Sequence, residues 1–248
     1  MLFLNQSAFC LCFVLLKNRA AVTFALESAN VVGYQTSNLA QGYNLYAPTF
    51  VNVDGGSMNI QDMKLIGSEG WATEIIYMLD DEGLLTGQSY SWNCPDNGFD
   101  DWCWVDDLTG EVADISITNG QGFYLYADAE GLSMQVSGGV KMGPLTKDLS
   151  FGYNITGNFS PVDVNIQKFK INGSEGWATE IIYVLDDQGL LTSQSYSWNC
   201  PDNGFDDWCW VDDLTGEVAD FTLEPGQGIY LYSDGADYTL ELPTVLGK

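Results

Sequence analysis

Residues 67–114 read GSEGWATEIIYMLDDEGLLTGQSYSWNCPDNGFDDWCWVDDLTGEVAD, and the same segment returns at residues 173–220. The copies are offset by 106 residues and differ at three positions, which are Met78/Val184, Glu82/Gln188 and Gly87/Ser193. A repeat of this length exceeds the units of about 20–50 residues that build solenoids. The sequence therefore predicts two copies of a whole domain.

The match continues more loosely on both sides of this segment. Two short flanking matches extend it, namely GYN at 42–44 and 152–154 and GQG at 120–122 and 226–228. We therefore place the first domain at residues 31–140 and the second at residues 141–248. A nearly unchanged middle between diverged ends indicates a recent duplication or a gene conversion of that middle, so the identity alone is not evidence of function.

Within each unit, short strand patterns alternate with turn residues. Residues 72–79 are rich in β-branched and aromatic side chains, and residues 88–92 alternate polar with aromatic, which predicts a hairpin. A second hairpin is predicted around residues 106–110, where Gly110 can adopt the left-handed conformation. No stretch shows convincing helical periodicity. The predicted fold is all-β, with two tandem homologous antiparallel β-sandwich or barrel-like domains.

The first 25 residues differ in character from the rest. The apolar run at residues 8–16 has about the length of a signal-peptide core and is shorter than the ~20 residues of a membrane span. Lys17 and Arg19 follow that run, so a second interpretation makes them the charged start and Met1 an early or misassigned start. Both interpretations end at Ala25. We expect a signal peptide at residues 1–25, secretion or a cell-surface location, and no membrane span.

The chain is strongly acidic, with 34 Asp and Glu, 8 Lys and Arg, no His and a formal net charge of −26. Such a surface repels nucleic acid and anionic lipid, and so excludes both as partners. Two explanations stay open for the charge. One is solubility in high salt, and the other is the binding of divalent cations.

Four cysteines follow Ala25, two in each domain, at C-x8-C spacing. In an exported chain this spacing favours intradomain disulfides, Cys94 with Cys103 and Cys200 with Cys209. Zinc is disfavoured because each unit has only two thiols and no histidine. A thiol nucleophile is disfavoured because no histidine is present to activate it.

The loop between each pair of cysteines is acidic and contains a glycine, PDNGFDD at residues 95–101 and again at residues 201–207. Oxygen ligands around a sharp turn are typical of calcium sites, although the EF-hand spacing is absent. The alternative is a solvated turn. Calcium is the one cofactor predicted, and none is required. The candidate ligands are Asp96, Asn97, Asp100, Asp101 and Asp106, with Asp202, Asn203, Asp206, Asp207 and Asp212 in the second copy.

All eight tryptophans lie in the duplicated segment. Aromatic rings beside Asp and Asn are typical of sugar-binding surfaces, whereas aromatic residues also dominate small β cores. We expect most of the rings to be core and a minority to lie exposed beside the cysteine loop. The candidates for ligand stacking are Trp92, Trp102, Trp198 and Trp208.

Residues suited to catalysis are few. Histidine is absent, the only arginine is Arg19, and no nucleophile-elbow, P-loop or dinucleotide motif occurs. We therefore expect a non-catalytic protein, structural or ligand-binding, with an extracellular glycan or surface protein as its partner. The alternatives are a carbohydrate-binding module and a glycoside hydrolase that uses two carboxylates.

Short motifs also resemble a known group of proteins. SANVVGY at residues 28–34, GYNL at 42–45 and PGQGIYL at 225–231 are similar to segments of uncharacterised small secreted proteins from environmental and gut bacteria. These have a signal peptide and one or two β-rich units of about 100 residues. The resemblance implies export and a non-catalytic role, and it carries over no site residues.

Overall fold

The computed structural model describes residues 32–52, 56–80, 84–93, 102–141, 143–186, 191–199 and 208–244. In these ranges the chain forms strands, turns and two single-turn 3₁₀ segments, Ile60–Asp62 and Ile166–Lys168. The predicted all-β class is confirmed. None of the helices in these ranges is long and apolar enough to cross a membrane.

The described part of the first repeat contains ten strands. They are β1 Val32–Asn38, β2 Gly42–Tyr46, β3 Ser57–Asn59, β4 Met63–Ile66, β5 Ile75–Leu79, β6 Leu85–Asn93, β7 Cys103–Asp106, β8 Ser116–Thr118, β9 Phe123–Ala127 and β10 Ser133–Gly139. The second repeat supplies β11 Leu145–Asp148, β12 Gly152–Gly157, β13 Val164–Asn165, β14 Lys170–Asn172, β15 Ile181–Leu185, β16 Leu191–Asn199, β17 Cys209–Asp212, β18 Thr222–Leu223, β19 Gly228–Ser233 and β20 Thr239–Leu242.

These strands form small antiparallel sheets with the same topology in each repeat. In the first repeat the strand orders are β1-β10-β4, β2-β9-β5-β6-β7 and β3-β8, and in the second every number rises by ten. Each sheet therefore takes its strands from one repeat only. The chain passes from β10 to β11 through residues 140–144, where the sequence predicts the join. Independent folding of the two units stays a prediction.

Each repeat also has its own hydrophobic core. Strand β9 illustrates the pattern, since Phe123, Leu125 and Ala127 are buried while Tyr124 and Tyr126 lie on the opposite, half-buried face. The largest fully buried side chains are Trp104 and Trp210. This alternation lets one face of the five-stranded sheet build a core while the other stays available for contacts.

The 3₁₀ segment Ile60–Asp62, between β3 and β4, is hydrogen bonded to the five-stranded sheet of the first repeat. Gln61 donates from Nε2 to the carbonyl oxygens of Trp104 and Ala113 at 2.7 and 2.8 Å, and its Oε1 accepts from the Trp104 amide at 3.1 Å. The indole nitrogen of Trp104 donates to the carbonyl of Met63 at 2.8 Å. The equivalent Gln167 makes the same contacts in the second repeat. The buried tryptophan is thus fixed by polar contacts as well as packing.

The two repeats pack through equivalent surfaces. A small apolar cluster joins them, built from Leu45, Leu79, Tyr124 and their equivalents Ile155, Leu185 and Tyr230. The hydroxyl groups of Tyr124 and Tyr230 hydrogen bond to each other. Tyr124 therefore meets its own copy, as residues on the axis of a symmetric dimer interface do. We call this contact the junction.

Two glycines allow the close approach at the junction. A Cβ atom on Gly122 would lie 2.4 Å from a methyl carbon of Ile155, and one on Gly228 would lie 2.5 Å from Leu45 Cγ. Both distances are far below van der Waals contact. Larger residues at these positions would force the repeats apart.

Candidate functional site

A short loop in each repeat displays a tryptophan to solvent. The loop joins β4 to β5 at residues 67–74, and its copy occupies residues 173–180. Trp71 is 63% exposed and Trp177 is 60% exposed. We call these segments the tryptophan loops. Large rings this exposed, at the same place in both repeats, are the first candidate for ligand contact.

The tryptophan loops have a strained backbone beside the exposed ring. Ala72 and Ala178 adopt φ values of 60° and 61°, and they are the non-glycine residues with positive φ in the described ranges. This left-handed conformation costs an L-residue about 1–2 kcal/mol. Strain of this kind persists only where the surroundings impose it, and it is concentrated at functional sites.

Three contacts impose that conformation. The Ser68 hydroxyl accepts from the Gly70 amide at 2.9 Å and donates to Glu74 Oε2 at 2.7 Å. The Ala72 amide donates to the carbonyl of Trp92 at 3.1 Å. A Cβ on Gly70 would lie 2.1 Å from the Trp102 ring, so only glycine fits there. The loop is therefore rigid before any ligand arrives.

The exposed ring rests on a second, partly buried tryptophan. Trp71 meets Trp102 edge-to-face with ring centroids 6.5 Å apart, and Trp177 meets Trp208 in the same way at 6.3 Å. Trp102 in turn packs against the first core. Each displayed indole is thus anchored by a ring contact while most of its surface remains exposed.

A buried carboxyl group lies under each loop. Glu74 and Glu180 are almost completely inaccessible to solvent. Burial raises the pKa of each group, and a nearby aspartate, Asp128 or Asp234, raises it further, while the serine hydroxyl acts in the opposite direction. Two adjacent carboxyl groups favour holding a proton between them. Glu74 and Glu180 accept hydrogen bonds from Ser68 and Ser174, and so they help to fix the backbone of the loops.

A second aromatic surface lies on the outer faces of the five-stranded sheets. Strand register places Tyr43 opposite Tyr126 and Tyr77 opposite Tyr124. The second repeat repeats the arrangement with Tyr153, Tyr183, Tyr230 and Tyr232. We call these eight residues the tyrosine face. Its most accessible members are Tyr43 and Tyr153, which are 44% and 47% exposed.

A serine and aspartate network borders the tyrosine face. The hydroxyls of Ser89 and Ser91 each donate to Asp107 at 2.5 Å, and Ser195 and Ser197 do the same to Asp213. Burial raises the pKa of Tyr77, with smaller contributions from Tyr43 and Asp107. The raised pKa keeps the phenol of Tyr77 neutral at physiological pH.

Two of the four tryptophans predicted to stack on a ligand are buried. Trp92 and Trp198 are 3% and 5% exposed, and they pack against Trp104 and Trp210 at 5.1 and 5.2 Å. The prediction of ligand stacking at these two positions is wrong, because strand register turns both rings into the cores. Trp102 and Trp208 lie beside the exposed rings, as anchors.

Sequence reasoning missed Trp71, Trp177 and the tyrosine face. Trp71 follows Gly70 in a segment with turn residues. An aromatic side chain in a turn between strands does not point into the core. The tyrosines could be found from the alternation in residues 123–127, where the tyrosines fall on one face and Phe, Leu and Ala on the other.

Of the predicted calcium ligands, Asp106 and Asp212 are described, and both cap turns. Asp106 Oδ1 accepts from the amides of Leu108 and Thr109 at 2.8 and 2.9 Å. The amide of Thr215 is the main cause of a lowered pKa at Asp212. Among the described residues no group of three or more His, Cys, Asp or Glu could hold a metal ion.

The other predicted metal ligands lie outside the described residues, so calcium binding stays a prediction. They are Asp96, Asn97, Asp100, Asp101, Asp202, Asn203, Asp206 and Asp207. The same holds for Cys94 and Cys200. Cys103 and Cys209 begin β7 and β17, and each pairs with the Asn just before its predicted partner cysteine. The two disulfides therefore also stay predictions. Residues 1–31, with the expected signal peptide, lie outside the described part as well.

Comparison with known proteins adds no relative. No protein-family model matches the chain, and no curated protein or solved structure does so either. The tryptophan loops and the tyrosine face are therefore the features from which a function can be inferred.

Proposed function

We propose that this chain is a secreted, non-catalytic glycan-binding protein whose two tryptophan loops stack on sugar rings outside the cell. The observation that carries the proposal is the pair of exposed indoles, Trp71 and Trp177, each held on a strained loop. The two loops share sequence and contacts. The export and non-catalytic role implied by the resemblance to secreted bacterial proteins agree with it.

Backbone strain supports a binding role over a purely structural one. Left-handed alanines cost free energy in both repeats, although glycine would relieve the strain. Their main effect on the surface is to hold an indole in one position. A ring that is already ordered loses little conformational freedom when a ligand stacks on it, so the affinity for that ligand rises.

The electrostatics select the class of ligand. A chain of net charge −26 repels anionic polymers, and residues 67–140 contain no lysine or arginine. Exposed carboxylates at Glu69 and Glu175 lie two positions from the displayed indoles. A neutral sugar suits this surface, since its apolar face can cover the indole while its hydroxyls donate to a carboxylate.

Two copies of the loop suit a polymeric ligand. Binding at one loop would raise the effective concentration of the same polymer at the other, so overall affinity would exceed that of a single loop. We further propose that the chain consists of two tandem antiparallel β-sandwich or barrel-like domains, one in each repeat, and that each folds by itself. Calcium at the acidic loops would add rigidity without taking part in sugar contact.

The test measures binding of residues 26–248 to four neutral polysaccharides: hydroxyethyl cellulose, xylan, laminarin and soluble starch. Affinity electrophoresis should show retardation by at least one. Trp71→Ala and Trp177→Ala should each weaken that binding about fivefold, because one lost stack removes on the order of 1 kcal/mol. Tyr34→Ala, an equally exposed aromatic on β1, serves as the control and should leave binding unchanged.

Two results would refute this assignment. If none of the polysaccharides retards the protein, or if both tryptophan variants bind like the parent, the loops do not bind glycans. Release of reducing sugar from the same polysaccharides would instead support the glycoside hydrolase alternative.

A further inference from the structure

The tyrosine face continues from one repeat to the other without a break. Neighbouring ring centroids along the path Tyr126, Tyr43, Tyr124, Tyr230, Tyr153, Tyr232 lie 5.1, 5.9, 6.4, 6.4 and 5.3 Å apart. The central step crosses the junction, where the hydroxyls of Tyr124 and Tyr230 meet. These six tyrosines, out of the eight of the tyrosine face, therefore form one continuous series of ring contacts, which we call the tyrosine track.

This spacing is close to the length of one sugar residue in an extended polysaccharide. The path is a zigzag, because Tyr124 and Tyr126 are two positions apart on β9, about 7 Å, and Tyr43 lies on the neighbouring strand. The second repeat has the same arrangement, so a chain of about four sugars would span the six rings. The tyrosines offer apolar ring area and phenolic hydroxyls together, which matches the two kinds of surface that a sugar presents.

The junction also leaves room beside the track. An open groove of about 230 Å³ lies next to Tyr43, and its lining comes from both repeats, with Leu45 and Asn44 from the first and Leu185 and Gln227 from the second. A groove of mixed apolar and polar lining suits a ligand that has both kinds of surface. Because both repeats line it, its occupant contacts both.

The negative charges around the tyrosine track distinguish between charged and uncharged polymers. The groups bordering the track are carboxylates, Asp107 and Asp213, and Asp186 and Glu224 line the groove. A phosphate-bearing or uronic-acid polymer would be repelled, whereas an uncharged polysaccharide would not.

We propose that the tyrosine track binds one extended, uncharged polysaccharide chain that crosses the junction and contacts both repeats. This rests on the proposed function, to which it adds a second site and the form of the ligand. The tryptophan loops and the tyrosine track consist of different residues, since the loops lie between β4 and β5 and between β14 and β15, whereas the track residues lie on β2, β9, β12 and β19.

The test uses the Trp71→Ala/Trp177→Ala protein, so that only the track remains, and titrates it calorimetrically with cellohexaose, xylohexaose, laminarihexaose and maltohexaose and their disaccharides. At least one hexasaccharide should bind at one per protein chain and at least tenfold more tightly than its disaccharide. Tyr43→Ala and Tyr153→Ala, added singly, should each lower that affinity severalfold. Binding should persist at 0.5 M NaCl, because stacking is not screened by salt.

Several outcomes would overturn the proposal. These are two hexasaccharides per chain, equal affinity for hexasaccharide and disaccharide, and binding that is indifferent to both tyrosine variants. If the parent protein still shows tryptophan-dependent retardation while the track binds nothing, only this inference fails. If neither surface binds any glycan, the proposed function fails with it. Tyr34→Ala is again the matched exposed-aromatic control, and circular dichroism shows whether each variant is folded.

Discussion

The duplicated middle and the diverged flanks of this protein differ in how they use equivalent positions. The middle repeats its contacts faithfully, since Ser91 donates to Asp107 just as Ser197 donates to Asp213. The junction draws on both parts, with Leu79 and Leu185 from the middle and Leu45 and Ile155 from the flanks. Equivalent positions are therefore identical at these contacts inside each repeat, whereas across the junction some of them differ.

The two halves of the junction fill the same space in different ways. Gly226 lies against the ring of Tyr46, whereas its equivalent Gly120 lies against Phe159. Tyr46 corresponds to Thr156, so the aromatic ring comes from different positions in the two repeats. What both halves retain is a ring against a glycine. Packing volume is therefore preserved while the residue that supplies it changes.

The largest effect should come from removing these rings. Phe159→Ala and Tyr46→Ala should each lower the free energy of unfolding by about 3–5 kcal/mol, because both side chains are buried and leave a cavity. Urea unfolding measures this. Phe151→Ala, at an exposed phenylalanine of the second repeat, should change stability by less than about 0.5 kcal/mol. If one ring proves dispensable, the two halves are not equivalent in packing.

The buried glutamates should give the second effect, which depends on pH. Because the pKa of Glu74 and of Glu180 is raised in the folded state, that state holds more protons than the unfolded chain above the ordinary pKa of about 4.3. Stability should therefore fall as pH rises from there through the raised pKa, by at most about 1.4 kcal/mol per pH unit for each group.

Glu74→Gln and Glu180→Gln should reduce the decrease of the free energy of unfolding with rising pH, and they should stabilise the protein at pH 7. Glutamine can still accept from the serine hydroxyl and can donate to the neighbouring aspartate, as a protonated glutamate does. Urea unfolding between pH 4.5 and 8 follows the effect, and Glu69→Gln, at an exposed position, is the control. The second repeat adds Tyr238 and Glu175 near its aspartate and glutamate. An unchanged pH profile in both variants would mean that the buried carboxyls carry no extra proton.

The smallest effect should come from relieving the loop strain. Ala72→Gly and Ala178→Gly should raise the free energy of unfolding by about 0.5–1 kcal/mol, since glycine adopts positive φ without strain but loses more entropy on folding. The same variants should bind polysaccharide several times more weakly, because the loop is no longer fixed. Equal effects in the two repeats are expected from their equal contacts. A loss of stability, or unchanged binding, would contradict the role given to the strain.

The strand pairing inside the duplicated middle could be predicted from sequence. The expected hairpin is β5 paired with β6, and Gly110 has the predicted positive φ of 74°. The second predicted hairpin, around residues 106–110, forms only in part, since Val112 makes a single bridge to Val105 and the following strand β8 pairs with β3. The backbone amide of Ile60 donates to the carbonyl oxygen of Ile115 at 3.0 Å. This hydrogen bond holds the chain before β8 next to the segment that follows β3. Long-range competition of this kind leaves no local pattern.

The candidate site lies at other tryptophans than those the sequence suggested. Aromatic residues next to carboxylates pointed to the duplicated segment, but strand register decides which ring of a pair faces solvent, and Trp92 faces inward opposite Trp104. The tyrosine track was not predictable because half of it comes from each repeat. Its continuity depends on the junction, and nothing in either repeat alone encodes that contact.

A surface that meets its own copy, as Tyr124 meets Tyr230, is one that an ancestor with a single repeat could use to pair with a second molecule. Joining two such units through residues 140–144 converts an association that depends on concentration into one that is fixed by the chain. In a pair of identical molecules every substitution appears twice across the two-fold axis. In the fused chain each appears once, so Tyr46 and Phe159 could evolve separately on the two sides of the same contact.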